Sequence, residues 1–166
     1  MKTTEQLALL QDFYRDRLAL VHRHVEGAKL VPDYEFNNTY QYIIAREDVH
    51  ITWVAAAITD LGGEIPTNIT ALPVPTAVKK GRTLDGQVAV LEDDSKQADV
   101  FVNRWRPKIE TVTNARHKGM LRIILGEILE HKRFFTLALA GREDLLGRRM
   151  PGASTGDGVL PVRWVE

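Results

Sequence analysis

The sequence predicts an all-α protein: a four-helix bundle with a long crossover between its second and third helices and an irregular C-terminal tail. Three observations carry that expectation. Over four long stretches the apolar residues recur in alternating steps of three and four, the spacing of a buried helix face. Capping residues and glycines stand where those stretches should begin and end. About 26 residues rich in Pro, Gly, Thr, Asn and Asp separate the second stretch from the third, far more than antiparallel neighbours need.

The first helix is expected from about Thr4 to about Glu26, with Thr4 as N-cap and Gly27 as stop. Its seam reads Leu7, Leu10, Tyr14, Leu18 or Arg17, Val21 and Val25. A short link through Pro32 returns the chain antiparallel. Asp33 caps the second helix, whose seam is Phe36, Tyr40, Ile43, Glu47, His50, Val54, Ala57 and Leu61, and Gly62-Gly63 ends it. Residues 62–87, with Pro66, Pro73 and Pro75, read as a crossover that makes the third helix parallel to the second. Extended at about 3.3 Å per residue, that link spans a helix of roughly 43 Å with slack.

The third helix is expected from about Val88 to Asn114, with seam Leu91, Asp94, Ala98, Phe101 or Val102, Trp105, Ile109 and Val112. Pro107 inside it should kink or break it. The fourth covers about Lys118 to Ala140, with Leu121, Ile124, Ile128, His131, Phe135 and Ala138 inward and Gly141 as stop. Residues 1–141 thus form the bundle and 142–166 a tail. Five Gly and two Pro between Gly141 and Glu166 leave room there for only a short helical turn at Glu143–Leu146. Leu160, Val162, Trp164 and Val165 are apolar enough to dock on the bundle or on a second subunit.

At 166 residues the chain suffices for one domain with a full core. Its 22 Lys plus Arg balance 22 Asp plus Glu. That balance argues against nucleic acid or an anionic membrane surface as the main partner, since both favour a basic excess. The absence of Cys excludes disulfides, thiolate metal sites and cysteine catalysis. No stretch approaches the roughly 18 apolar residues of a membrane helix, and the polar N-terminus lacks a signal-peptide core. A cytoplasmic location is the expectation.

Two ionisable residues, Glu47 and His50, occupy seam positions that call for Val or Leu. Burying a carboxylate without a partner costs several kcal/mol, so a metal ion, an Arg or a polar network must compensate it. Three apart on one face, the two side chains can reach one point near the bundle axis. The second half of the chain repeats the spacing. Glu127 stands 80 residues after Glu47, and Glu130 stands 80 after His50, with His131 beside it. Asp94 lies 33 before Glu127 and Tyr14 lies 33 before Glu47.

With Tyr14…Glu47-x-x-His50 matched by Asp94…Glu127-x-x-Glu130-His131, residues 4–140 resemble the ferritin-like superfamily, the group of bacterioferritins and rubrerythrins. The resemblance implies a carboxylate/histidine metal site at the bundle centre, with Glu47, His50, Asp94, Glu127, Glu130 and His131 as metal ligands. It implies one or two ions, iron first, with manganese or zinc as alternatives. Sites of that kind activate dioxygen or peroxide, or oxidise Fe(II); without a cysteine pair, the electron donor would be external. Tyr14 and Ile128 stand where the family has carboxylates, so the ligand set is acid-poor on one side.

The leading expectation is therefore a metal-binding protein, a non-haem iron oxidoreductase or ferroxidase-like bundle, with homo-oligomers, dimers first, expected by analogy. The alternative is a metal-free bundle of the same fold acting as a binding or assembly module. In that case Glu47 should pair with an Arg, Arg17 being the nearest candidate from the pattern. Haem between subunits is a weaker third option. His22 and His24, near the end of the first helix, are read as suiting its dipole, as is His117 at the corner before the fourth.

Overall fold

The three-and-four periodicity does produce four long helices packed against one another. A computed structural model describes residues 2–74, 84–142 and 144–146, and among the described residues there is no strand. The helices are α1 (Thr3–Ala28), α2 (Tyr34–Asp60), α3 (Leu84–Glu110) and α4 (Ala115–Leu139). Each of α1 and α4 lies beside both α2 and α3. Paired side chains run in opposite directions along every neighbouring pair. Along α1 and α3, Phe13 meets Trp105 and Arg23 meets Asp94. Along α2 and α4, Tyr40 meets Phe135 and His50 meets Glu127.

Local chemistry sets the helix ends. The Asp33 carboxylate accepts from the Phe36 N–H at 3.1 Å and caps α2, as expected. Asn114 caps α4 in the same way, accepting from the His117 N–H at 3.0 Å, so this helix starts three residues earlier than Lys118. Gly62 and Gly141 end α2 and α4 in left-handed backbone, at φ of 74° and 80°. Gly27 does not stop α1. It lies inside the helix, where a Cβ would sit 3.1 Å from Val90 Cγ1 and 3.5 Å from an Asp94 oxygen, so its role is close approach to α3.

α3 also departs from its expected span. It begins at Leu84, so residues 84–87, expected in the crossover, belong to the helix, and Asp85 in the first turn suits the helix dipole. It ends at Glu110 and not at Asn114, three residues after Pro107, which the helix carries without a break. Beyond Gly63 the chain runs without regular structure beside α1 and in the same direction. Gln11 donates to the Glu64 carbonyl, Arg15 to Asn68 and Arg23 to the Pro73 carbonyl. Residues 75–83 and 147–166, and with them the expected docking residues Leu160, Val162, Trp164 and Val165, lie outside the described residues. So does Glu143 of the expected turn, although Leu145 is buried against Phe134, Phe135 and Ala138.

The seams of α2, α3 and α4 face inward as their spacing predicts, with Phe36 and Leu61 partly buried at the ends of α2. The seam of α1 is corrected by one step. Leu10, Tyr14, Arg17 and Val21 are buried as expected, but the regular four-three repeat of buried residues is Gln6, Leu10, Phe13, Arg17, Leu20, His24 and Gly27, while Val25 is exposed and Leu18 only partly buried. Two apolar clusters result. One gathers Leu10, Phe13, Val54, Phe101, Trp105 and Ile124; the other gathers Val31, Tyr40, Ile43, Val90, Leu91 and Phe135. Trp105 is fully buried and stands edge-on to Phe13, with its ring N–H on Asp16 at 2.9 Å.

Substituting Gly62 tests the backbone argument separately from packing, because a Cβ there meets nothing within 4 Å. Gly62→Ala should cost about 1–2 kcal/mol in chemical denaturation, the strain of left-handed backbone, and Gly62→Asn should cost less.

Candidate functional site

Between the two apolar clusters the four helices close on a layer of charged side chains. The register of α1 places Arg17 and His24 on the axis, where α2 presents Glu47 and His50, α3 presents Asp94, and α4 presents Glu127 and His131. Glu47, His50, Asp94 and Arg17 are all 0% exposed.

Glu47 is held from α1. Arg17 Nη1 lies 2.8 Å from its Oε1, a contact of charges rather than an aligned hydrogen bond, since that nitrogen has no partner in good geometry. His24 Nδ1 lies 2.8 and 2.9 Å from the two carboxylate oxygens. Arg17 Nη2 reaches His50 Nδ1 at 3.1 Å, so one guanidinium spans Glu47 and His50. The far side of His50 meets Glu127, Nε2 to Oε2 at 2.9 Å, and Arg46 donates two hydrogen bonds to the same carboxylate. Asp94 accepts from Arg23 Nε at 2.7 Å and from the Tyr40 hydroxyl at 2.5 Å, with His24 Nε2 at 4.0 Å. A second contact takes Arg23 to Asp93.

The groups form a chain in which charge alternates: Asp93, Arg23, Asp94, His24, Glu47, Arg17, then neutral His50, Glu127 and Arg46. Four carboxylates face three arginines and His24, so the chain balances when His24 carries a proton. The electrostatics agree. Burial alone pushes the His24 imidazole down, but Glu47 and then Asp94 outweigh it and leave its pKa above the ordinary value. Burial pushes Glu47 up, yet Arg17 and His24 hold it at about 2. Burial and Asp94 drive the Tyr40 hydroxyl well above its usual range. Burial and Arg17 lower His50 against the pull of Glu127. His131 is lowered to about 3 by burial, with Arg17 opposing the attraction of Glu47.

Of the six expected metal ligands, Glu47, His50, Glu127 and His131 are brought together, with Asp94 joined through His24. His131 stacks on His50 with ring centres 6.4 Å apart, and its buried Nδ1 has no hydrogen-bond partner among the described residues. Glu130 is exposed and faces away from the layer. Among the described residues no group of three or more His, Asp or Glu side chains is placed to hold a metal ion. Tyr14 belongs to the apolar cluster, packed as core.

Arg23, His24, Tyr40 and Arg46 are site residues that the spacing argument passed over. For His24 the signal was present, since continuing the repeat Leu10, Phe13, Arg17, Leu20 lands on it; reading it as a dipole partner placed it on the wrong face. His117 is likewise buried, 2.5 Å from Gln6 Nε2 of α1. No protein-family model, curated protein or solved structure matches the chain. No helix among the described residues is long and apolar enough to cross a membrane.

Two measurements check the layer. Glu47→Ala leaves Arg17 and His24 buried without their carboxylate and should cost about 3–5 kcal/mol in denaturant unfolding. The Arg17→Met, Glu47→Met double variant should lose far less than the two single variants together. Stability should also fall on both sides of a maximum near pH 6.5. His50 and His131, lowered in the fold, contribute stability present above the ordinary imidazole value of 6.5 and lost as pH falls toward their folded values, about 3 for His131. Glu47 adds a loss from about 4.5 down to about 2. His24 is raised, so its contribution is full below 6.5 and lost as pH rises through its folded value. In unfolding curves across pH, His24→Gln should flatten the alkaline arm and His131→Phe should weaken the acid arm.

Proposed function

We propose that the chain is a bundle of ferritin-like topology whose central position is filled by an internal ion-pair network, and that it works as a metal-independent binding or assembly module. The topology rests on two supports. Helices α2 and α3 run in the same direction across a diagonal, and the segment after Gly63 travels along α1 as a crossover would. The functional reading rests on one observation: the buried guanidinium of Arg17 contacts Glu47 and His50 together. A metal ion between those side chains would face a fixed positive charge at contact distance, and it would compete for donors already engaged. Asp94 is committed in the same way to Arg23 and Tyr40. The donor set as arranged does not fit a metal centre.

A second reading is favoured by one feature, the buried Nδ1 of His131, which has no hydrogen-bond partner among the described residues and stands beside neutral His50. In it the chain is a non-haem metal protein, with iron, manganese or zinc held by Glu47, His50, Glu127 and His131 once Arg17 swings out.

Metal analysis separates the two. Protein from cells grown with excess iron, manganese and zinc, purified without chelator, should carry clearly substoichiometric metal, and its melting temperature should not respond to chelator. One ion or more per chain, lost in a Glu47→Ala, His50→Ala variant, would establish the metal protein and sink the module.

A further inference from the structure

The outer face of α4 carries a pattern that the buried network does not use. Ile123 is 55% exposed. Arg116 and Glu130 lie seven residues before and after it, both exposed, and among the described residues neither makes a hydrogen bond or ion pair. Seven residues is about 10.5 Å along a helix and close to two full turns, so all three side chains share one stripe. We propose that this stripe is where a second copy of the chain docks, α4 against α4, about a two-fold axis through Ile123.

The argument is charge complementarity under that symmetry. A two-fold axis perpendicular to α4 at Ile123 reverses the helix and brings Ile123 onto its own copy. Arg116 then lies opposite the partner's Glu130, and Glu130 opposite the partner's Arg116. Such an isologous contact closes on itself and forms each ion pair twice. The same reversal about any other position on the stripe would leave these charges unmatched.

Two further observations fit the approach of a second helix. Gly119 and Gly126 flank Ile123, and a Cβ added at either would meet nothing within 4 Å. Each glycine costs its helix about 1 kcal/mol relative to alanine, with no return in the packing of its own chain; a close-lying second backbone supplies a reason for both. Beside the stripe, Trp53 and Ala56 of α2 join Met120 and Ile123 around a groove of about 350 Å³ whose exposed surface is mainly apolar, with Asp60, Arg116 and His117 also in its lining. Rim ion pairs contribute little affinity but fix register, so Ile123 and the groove carry the binding and the charges set the axis. Glu130, expected from the sequence as a ligand, becomes an interface residue. None of this rests on the nature of the buried network, whose metal content is read separately.

Sedimentation of the full chain over a concentration series tests the proposal, with circular dichroism to confirm that each surface variant is folded. The wild type should show a monomer–dimer equilibrium. Ile123→Glu, which places a carboxylate against its own copy on the axis, should leave only monomer. Arg116→Glu alone and Glu130→Arg alone each put like charges opposite one another twice and should raise Kd about tenfold. The double variant Arg116→Glu, Glu130→Arg should return Kd to within about twofold of wild type. A wild type that stays monomeric overturns the proposal, as does a dimer indifferent to Ile123→Glu. A double variant no tighter than the single ones overturns the two-fold register.

Discussion

Glu47 carries a full charge at the middle of a bundle and is wholly buried, and much else in the structure answers that single constraint. A carboxylate in such a place must be neutralised and hydrogen-bonded or it will not ionise. Arg17 and His24 of α1 do both, and their own burial then has to be balanced in turn. Arg17 turns its other nitrogen to His50, and His24 lies toward Asp94. Asp94 draws in Arg23 and Tyr40, and the chain reaches partly exposed groups only at Asp93, Glu127 and Arg46. Alternation of sign lets so many ionisable groups share one layer.

That layer has a consequence for the fold as well as for the site. Apolar packing is tolerant of small shifts, so two greasy clusters alone would allow the helices to slide or rotate against one another. A row of charges on all four helices that balances in one register penalises each alternative by leaving a buried charge unpaired. The two fully buried arginines, Arg17 and Arg23, come from α1, and their carboxylate partners come from α2 and α3. The layer thus ties α1 to both its neighbours, while His50 and Glu127 tie α2 to α4. Close approach at Gly27 belongs to the same arrangement, since a side chain there would press on Val90 and Asp94.

The same geometry bears on activity. Polar residues at the centre of a helical bundle are compatible with a metal centre or with a self-satisfied network, and the two differ in whether donors are left over. Here the carboxylates of Glu47 and Asp94 are claimed by arginines, which hold a permanent charge at any accessible pH. Among the described residues, the buried nitrogens without a hydrogen-bond partner lie on Arg17, Arg23 and His131, and of these only His131 Nδ1 could offer a lone pair, on an imidazole that burial keeps neutral.

Helix number, the inward seams of α2, α3 and α4, the Asp33 cap and the Gly62 and Gly141 stops follow from the sequence by itself, because each depends on residues within a turn or two of one another. The burial of Glu47, His50, Asp94 and His131 was legible for the same reason, as polar breaks in a regular apolar line. Arg17 as the partner of Glu47 was legible as one of two readings. What a carboxylate meets inside the bundle depends on the rotation of a helix some ten residues or more away in sequence. A one-step error along α1 exchanges Leu18 and Val25 for Arg17 and His24. Tertiary packing alone decided that Arg23 points inward, that Glu130 points out, and that Glu127 is shared between His50 and Arg46. Local spacing fixes which face of a helix is buried to within about one residue. The partner of a buried charge turns on less than that, since an ion pair exists at 3 Å and has largely gone by the next position along the helix.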